Sequence, residues 1–269
     1  MSAKMDQKQS HLTQIIKNME SVLVAFSGGV DSTLLLKVAV IALGKDNVWA
    51  VTARSSTYPV EEQEASRQIA DSIGARQLFV DSEELDIDGF SSNPVNRCYY
   101  CKKELFTKLI TVAHKHGMQH VLDGANFDDL GDHRPGMLAA EELGVRSPLK
   151  EAELTKMEIR ELSQRLELPT WNKPAFACLS SRFPYGTEIT KEKLQQVGQA
   201  ESYLRKLNLG QFRVRHHGET ARIEIDKSAF STVMARTGEI VDKLKQCGFT
   251  YVTLDLEGYR TGSMNETIK

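Results

Sequence analysis

Apolar and polar positions set two alternating rhythms along the first part of the chain. Val22-Leu23-Val24-Ala25-Phe26 is a short unbroken apolar run, the mark of a strand covered on both faces, and Leu34-Leu35-Leu36-Lys37-Val38-Ala39-Val40 carries a helix just beyond it. The same reading predicts strands over 47–52, 76–80 and 120–122, and helices over 59–73, 104–116 and about 154–166. A polar loop (126–135), a short helix and Ser147-Pro148-Leu149 lie before the last of these helices. Strand and helix alternate, which predicts an α/β fold with a parallel sheet covered on both faces and its ligand at the carboxyl ends of the strands.

The stretch from Glu167 to Thr187 breaks this rhythm, carrying Pro169, Pro174, Pro184 and Gly186 without a helical or strand period. Loops longer than about 12–15 residues in a compact protein are usually functional or mobile. We therefore divide the chain into a nucleotide domain (1–167), an active-site linker (168–187) and a smaller α+β domain (188–269) for substrate binding and oligomerisation. In the last, a helix is expected over 191–207, strands over 212–216 and 221–225 around a His217-Gly218 turn, a helical stretch over 228–247 and a strand over 251–254. His216 and His217 are assigned to that turn; as neighbours on a strand they would face opposite ways and not share a metal. Met1 to Asn18 is polar, and Thr261 to Lys269 is polar and expected to be loosely ordered.

Chemistry enters at Ser27-Gly28-Gly29-Val30-Asp31-Ser32, set between the first strand and its helix. Paired glycines let the backbone turn sharply, and the unpaired N–H groups of a helix start favour a phosphate. The sequence lacks the Gly-Lys-Ser/Thr ending of a Walker loop and the dinucleotide G-x-G-x-x-G, so the lysine that usually reaches the terminal phosphate has no counterpart here. The hexapeptide resembles the SGGxDS pyrophosphate loop of ATP pyrophosphatases, which activate a substrate by AMP transfer and release pyrophosphate. That resemblance implies ATP at Ser27, Gly28, Gly29, Asp31 and Ser32, with Asp31 working alongside Mg²⁺. The plain alternative is a tight turn with Asp and Ser as helix caps.

Composition narrows the setting. A 269-residue chain, 41% hydrophobic and 26% charged, can bury a full core. No apolar run approaches about 20 residues and the start has no signal-type segment, so a cytoplasmic protein is expected. The formal net charge of −2 argues against a general nucleic-acid binder and leaves small anionic substrates open.

Four cysteines are too few for a disulfide scaffold. Cys98 and Cys101 stand three residues apart, close enough to grip one soft metal centre, and Cys178 lies in the irregular linker. Three thiolates would leave a fourth coordination position open for chemistry. The rivals are a structural zinc completed by Cys247, a redox dithiol, and inert buried thiols. Cys247, in Gln246-Cys247-Gly248, reads as a small core residue.

Over most of its length the chain resembles the LarE family of ATP-dependent sulfur transferases, which build the nickel-pincer nucleotide cofactor of lactate racemase. The resemblance rests on SGGVDS, Leu122-Asp123-Gly124, Arg134-Pro135-Gly136, Trp171-Asn172-Lys173, Ser180-Ser181-Arg182-Phe183-Pro184-Tyr185-Gly186, Arg213-Val214-Arg215 and Tyr251-Val252-Thr253-Leu254-Asp255. It implies a PP-loop, Rossmann-like sheet of adenine-nucleotide α-hydrolase type. It also implies adenylylation of a carboxylate of pyridinium-3,5-biscarboxylic acid mononucleotide and replacement of AMP by sulfur. Some members sacrifice a cysteine as donor; that position falls at Ala177 here, with Cys178 one place later, and those members lack the C-x-x-C pair. The three-cysteine pattern is similar to members holding a [4Fe-4S] cluster, which implies Cys98, Cys101 and Cys178 as its ligands and Cys178 as a catalytic residue.

Further candidates follow. Arg182, Arg213 and Arg215 suit bidentate phosphate or carboxylate contacts, and Arg213 and Arg215 share a strand face by their spacing of two. Their alternative is an exposed, solvated strand face. Glu201 matches a family acidic position for metal or substrate. Lys102, beside the cysteine pair, is placed to stabilise a developing oxyanion or pyrophosphate. Asp123 and Asp129 lie where a second Mg²⁺ ligand is expected. Arg205, Lys206, Arg213, Arg215 and Arg222 leave an RNA patch open, which keeps a PP-loop tRNA thiolase as an alternative; a GMP or NAD synthetase would not explain the cysteines, and a non-catalytic nucleotide-binding regulator would release no pyrophosphate. The family tends to form homo-oligomers, and the sulfide source is not legible.

Overall fold

A computed structural model describes residues 3–131, 135–174, 177–260 and 262–267. Arg134 of the motif named above lies outside them, as do the ends of the tail. Two compact units are present, Met1–Glu83 with Asn96–Lys173, and Glu84–Val95 with Pro174–Lys269.

The first unit runs α1 (Ala3–Lys17), β1 (Val22–Ala25), α2 (Val30–Leu43), β2 (Val48–Arg54), α3 (Val60–Ile73), β3 (Arg76–Asp81), α4 (Arg97–Lys115), β4 (His120–Leu122), α5 (Pro135–Glu142), α6 (Pro148–Glu151) and α7 (Lys156–Arg165). Its four strands are parallel, in the order β3-β2-β1-β4. Alternation along β1 sends Val22 and Val24 to one face, packed with α1, α2, α3 and α7, and Leu23 to the other, packed with α4 and α5. Both faces are covered, so an unbroken apolar run is what β1 needs. β1 has β2 on one side and β4 on the other, which puts a topological switch point at its carboxyl end, where Ser27 begins.

Two features of this unit were not legible in the expected elements. The polar start is helix α1: Met5, Leu12 and Ile16 recur on one face and are buried, Leu12 and Ile16 completely. Only that narrow stripe is apolar, which hides the helix among charged and amide residues. Helix α4 begins at Arg97, a full turn and more before the apolar body that announced it.

The second unit holds α8 (Lys191–Arg205), β5 (Phe212–His217), β6 (Thr220–Ile225), α9 (Phe230–Ala235), α10 (Thr237–Gln246) and β7 (Tyr251–Leu254). β5 pairs antiparallel with β6 and β6 parallel with β7. Leu194, Val197, Ala200 and Leu204 line the core-facing stripe of α8 against Val214, Ile223, Ile225, Ile240 and Leu244. Residues 84–95 pack in this unit, where Asn93 Nδ2 donates to the carbonyls of Phe183 (3.2 Å) and Pro184 (2.7 Å).

The stretch over 228–247 is largely helical as expected, with α9 and α10 meeting at Arg236. Two expectations are corrected here. His216 and His217 belong to β5 rather than to a turn, with His216 buried between Phe183 and Phe249. The tail is anchored where it is described: Ser263 is buried and Tyr185 donates to Asn265 at 3.0 Å. Among the described residues no helix is long and apolar enough to cross a membrane.

Candidate functional site

The turn from β1 into α2 is a glycine loop closed on itself. Gly28 has φ of 68°, and a Cβ there would come within 3.0 Å of Ser66 Cβ on α3, so both conformation and space require glycine. Ser27 Oγ and Ser32 Oγ lie 3.2 Å apart, and the Ser27 N–H donates to Ser32 Oγ at 3.3 Å. Gly29 caps α2 without a side chain, so the N–H groups of Val30, Asp31 and Ser32 have no acceptor within the helix. With the helix dipole behind them they form an anion-binding end. The segment leaving β4 approaches closely at Gly124, where a Cβ would sit 3.2 Å from the Ser32 nitrogen.

The loop's carbonyls are engaged from several sides. Thr52 Oγ1 donates to Phe26 O (2.6 Å), Tyr58 Oη to Ser27 O (2.6 Å) and Lys173 Nζ to Gly28 O (3.0 Å). Gly29 O accepts the Thr33 N–H and the Ser32 hydroxyl. Lys173 also pairs with Glu62 at 2.8 Å.

Asp31, on the first turn of α2, pairs with Lys156 at the start of α7 and accepts from Asn126 Nδ2 at 3.4 Å. The backbone N–H of the same Asn126 donates to buried Asp129 at 2.9 Å, so one residue links the two carboxylates expected to hold Mg²⁺. Asp123 accepts from Ser147 Oγ (2.7 Å) and the Ala125 N–H (3.2 Å).

Arg182, Arg213 and Arg215 are packed inside the second unit, in contrast to a solvated strand face. Arg182, in the turn Leu179–Arg182, meets Glu201 of α8 through two bonds, Nε at 2.7 Å and Nη2 at 2.8 Å. Its Nη1 donates to Ala177 O, Cys178 O and Ser181 Oγ. Burial alone would raise the Glu201 carboxyl, but Arg182, the Val214 N–H at 3.0 Å and nearby Arg213 outweigh it and hold the group below its ordinary value. Arg215 grips Glu224 at 3.0 and 2.7 Å and donates to Ser181 O at 2.9 Å. Arg213 lies 5.2 Å over the Tyr259 ring; burial first, then the Arg182 charge, pushes its pKa down to about 10. Arg182, Arg213 and Arg215 thus form one cationic cluster around the turn that carries Cys178.

Known proteins are similar to this chain in sequence. A NAD synthase family profile matches residues 5–96, from α1 through the glycine loop to the approach of α4. Pyridinium-3,5-bisthiocarboxylic acid mononucleotide synthase of Lactiplantibacillus plantarum is 41% identical over 97% of this chain and 95% of its own. The chain belongs to this synthase family, the LarE family. An uncharacterized protein of Synechocystis sp. is 47% identical over 98% of this chain and 99% of its own. Another, of Methanocaldococcus jannaschii, is 32% identical over 96% and 98%.

The three cysteines expected to hold a cluster are divided between the units. Cys98 and Cys101 occupy the first turn of α4, one turn apart, while Cys178 belongs to the second unit. No disulfide joins any of the four cysteines, and among the described residues no three Cys, His, Asp or Glu side chains gather into a group able to hold a metal ion. The pair on α4 fits two corners of a thiolate site, and a third corner requires a sulfur from elsewhere in the chain. Lys102 has its stem under the first turn of α5, where a Cβ on Gly136 would meet Lys102 Cγ at 2.8 Å, and its ammonium lies 5.2 Å over the Phe106 ring.

Sequence reasoning for this synthase-family chain passed over Tyr58, Lys173 and Glu224. Lys173 was visible only as part of a motif, and nothing local tied Tyr58 to the loop. Glu224 was hidden by its own pattern: alternation between Ile223 and Ile225 sends it to the opposite, normally polar face, yet it is buried there and takes Arg215 and Arg222.

Proposed function

We propose that this enzyme uses ATP to adenylylate a carboxylate of pyridinium-3,5-biscarboxylic acid mononucleotide and exchanges AMP for sulfur, giving the thiocarboxylate. What carries the reading is the near-full-length match, 41% identical, to the Lactiplantibacillus plantarum synthase, whose aligned span covers both the glycine loop and the arginine cluster. A carboxylate oxygen is a poor leaving group. Attack of the carboxylate on the α-phosphorus of ATP breaks the bond to the β-phosphate oxygen and releases pyrophosphate; attack of a sulfur nucleophile on the acyl adenylate then expels AMP.

The chain's residues take up these tasks. The loop from Ser27 to Ser32 receives the phosphates, and Asp31, with Asp129 linked to it through Asn126, holds Mg²⁺ once Lys156 gives way. Arg213 and Arg215 bind the substrate's phosphate or second carboxylate, with Arg182 and Glu201 fixing the turn beneath them. Lys102 is assigned the charge developing near the cysteine pair. A [4Fe-4S] cluster on Cys98, Cys101 and Cys178 would supply sulfide from its fourth iron. We place the reaction in the cytoplasm, in a homo-oligomer.

Two measurements test this. Pyrophosphate release from ATP should depend on the pyridinium dicarboxylate mononucleotide; release driven by tRNA instead would favour a thiolase, and none at all would overturn the reading. Purified without oxygen, the chain should hold about four irons and four sulfides, and Cys178→Ala should lose them. Zinc, or no metal, would remove the cluster from the mechanism and return Cys178 to a structural or sacrificial role.

A further inference from the structure

Four consecutive carbonyls, Phe26 to Gly29, accept hydrogen bonds within the first unit. Those of Phe26 and Gly29 are engaged by the neighbouring strand and by the loop's own helix. Those of Ser27 and Gly28 are engaged by side chains that reach in from outside the motif, Tyr58 and Lys173. A carbonyl oxygen bordering a polyphosphate repels it, whereas a carbonyl held by a donor is turned to that donor and has its partial charge offset. The Ser27 and Gly29 N–H groups are used within the loop, on Ser32 Oγ and Ser27 Oγ, so those of Val30, Asp31 and Ser32 are the dipoles that remain for an anion.

We propose that Tyr58 and Lys173 are positioning residues for the phosphates of ATP, holding the Ser27 and Gly28 carbonyls so that the loop presents its N–H groups. This rests on the ATP-using reading above. Lys173 acts from a rigid base: Arg160 of α7 donates to Trp171 O at 2.7 Å and to Lys173 O at 2.9 Å, and the Lys173 N–H donates to Thr170 O. Its ammonium is shared between Gly28 O and Glu62, so the pair adds little net charge and its effect is geometric. Burial, reinforced by the Glu62 carboxylate, pushes the Tyr58 phenol above its ordinary value, which keeps it a donor. In this way a loop without a lysine of its own gains one that arrives 145 residues later in the chain.

The test is calorimetric titration of the full-length chain with α,β-methylene-ATP and with AMP, both with Mg²⁺. Tyr58→Phe and Lys173→Met should each weaken the triphosphate about tenfold, the worth of one hydrogen bond at a charged ligand, while AMP affinity stays within about twofold. Lys173→Arg should recover most of the loss. Equal losses for both nucleotides, or none, would overturn the proposal. Lys173→Met combined with Glu62→Gln separates geometry from repulsion by an orphaned carboxylate: recovered triphosphate affinity in the double variant would remove Lys173 from this role. A wild-type chain that binds neither nucleotide would sink the ATP reading itself, whereas a wild type that binds ATP no better than the variants sinks this inference alone.

Discussion

The glycine-loop centre and the arginine centre are both dense in charge, yet they are built in opposite ways. In the loop centre the paired side chains of Asp31, Lys156, Glu62 and Lys173 keep between 12% and 33% of their surface exposed. In the arginine centre Arg182, Glu201, Arg215 and Glu224 keep 6% or less. Water close to the first set screens its pairs and lets them exchange partners, as binding of phosphate and a divalent cation requires. The second set has no solvent to fall back on, so its geometry is fixed in advance and its charges depend on one another. One centre holds pairs that water can help to exchange, the other pairs that are locked to one another.

The largest effect expected from this contrast is at Glu201. Glu201→Ala leaves the Arg182 guanidinium buried beside Arg213 without its carboxylate, which should destabilise the chain by about 3–5 kcal/mol in denaturant unfolding. The pH dependence follows from sign. The Glu201 carboxyl titrates lower in the folded chain than in the unfolded one, so its contribution is complete above the ordinary carboxylate range and disappears as pH falls through the folded value. Glu201→Gln should flatten that part of the acid limb. A loss below about 1 kcal/mol would place these charges in the same class as exposed pairs and dissolve the contrast.

Asp31→Asn probes the other centre, with the balance reversed. Pyrophosphate release should fall on the order of 100-fold, equivalent to about 2.7 kcal/mol of barrier, if Asp31 holds the phosphate-bound cation as proposed. Stability should move by less than about 1 kcal/mol, since the Lys156 pair is part-exposed. Activity and unfolding measured on the same preparation decide it: a variant as unstable as Glu201→Ala would show that the loop pair is structural.

The two centres also differ in how far they can be read from sequence. Ser27 to Ser32 is contiguous, and its neighbours announce a strand and a helix, so loop, fold class and nucleotide were legible together. The parallel sheet was legible for the same reason, since β1 and β2 are apolar on both faces. The arginine centre joins the turn at Arg182, Glu201 on α8, two strands and Ser263 near the tail. Spacing placed Arg213 and Arg215 on one face, but charge alone left a wet face open as the alternative, and the fold made a buried one. Helix α1 was hidden because three apolar anchors suffice when α2 offers an apolar surface all round. Lys173 was hidden because a contact spanning 145 residues leaves no local trace.

The smallest effect is expected where an ion pair of similar length sits outside both centres. Lys8 of α1 reaches Glu158 of α7 at 2.8 Å, close to the 2.7 Å of Arg182 and Glu201, but its side chains keep 16% and 17% of their surface. Glu158 does not depend on Lys8: it also accepts from the Thr155 N–H at 2.9 Å and the Thr155 hydroxyl at 3.0 Å, in a capping box that starts α7. Nor does α1 depend on the pair, since Leu12 and Ile16 are fully buried in the core. Lys8→Met should therefore destabilise by about 1 kcal/mol or less, and the difference should shrink further in high salt. Distance is nearly constant across the two pairs while burial and alternative partners change, so the ratio of the two losses reports those two together and not separation. If Lys8→Met proved as damaging as Glu201→Ala, burial would not be what separates the centres, and the attachment of α1 would rest on charge rather than on its apolar stripe.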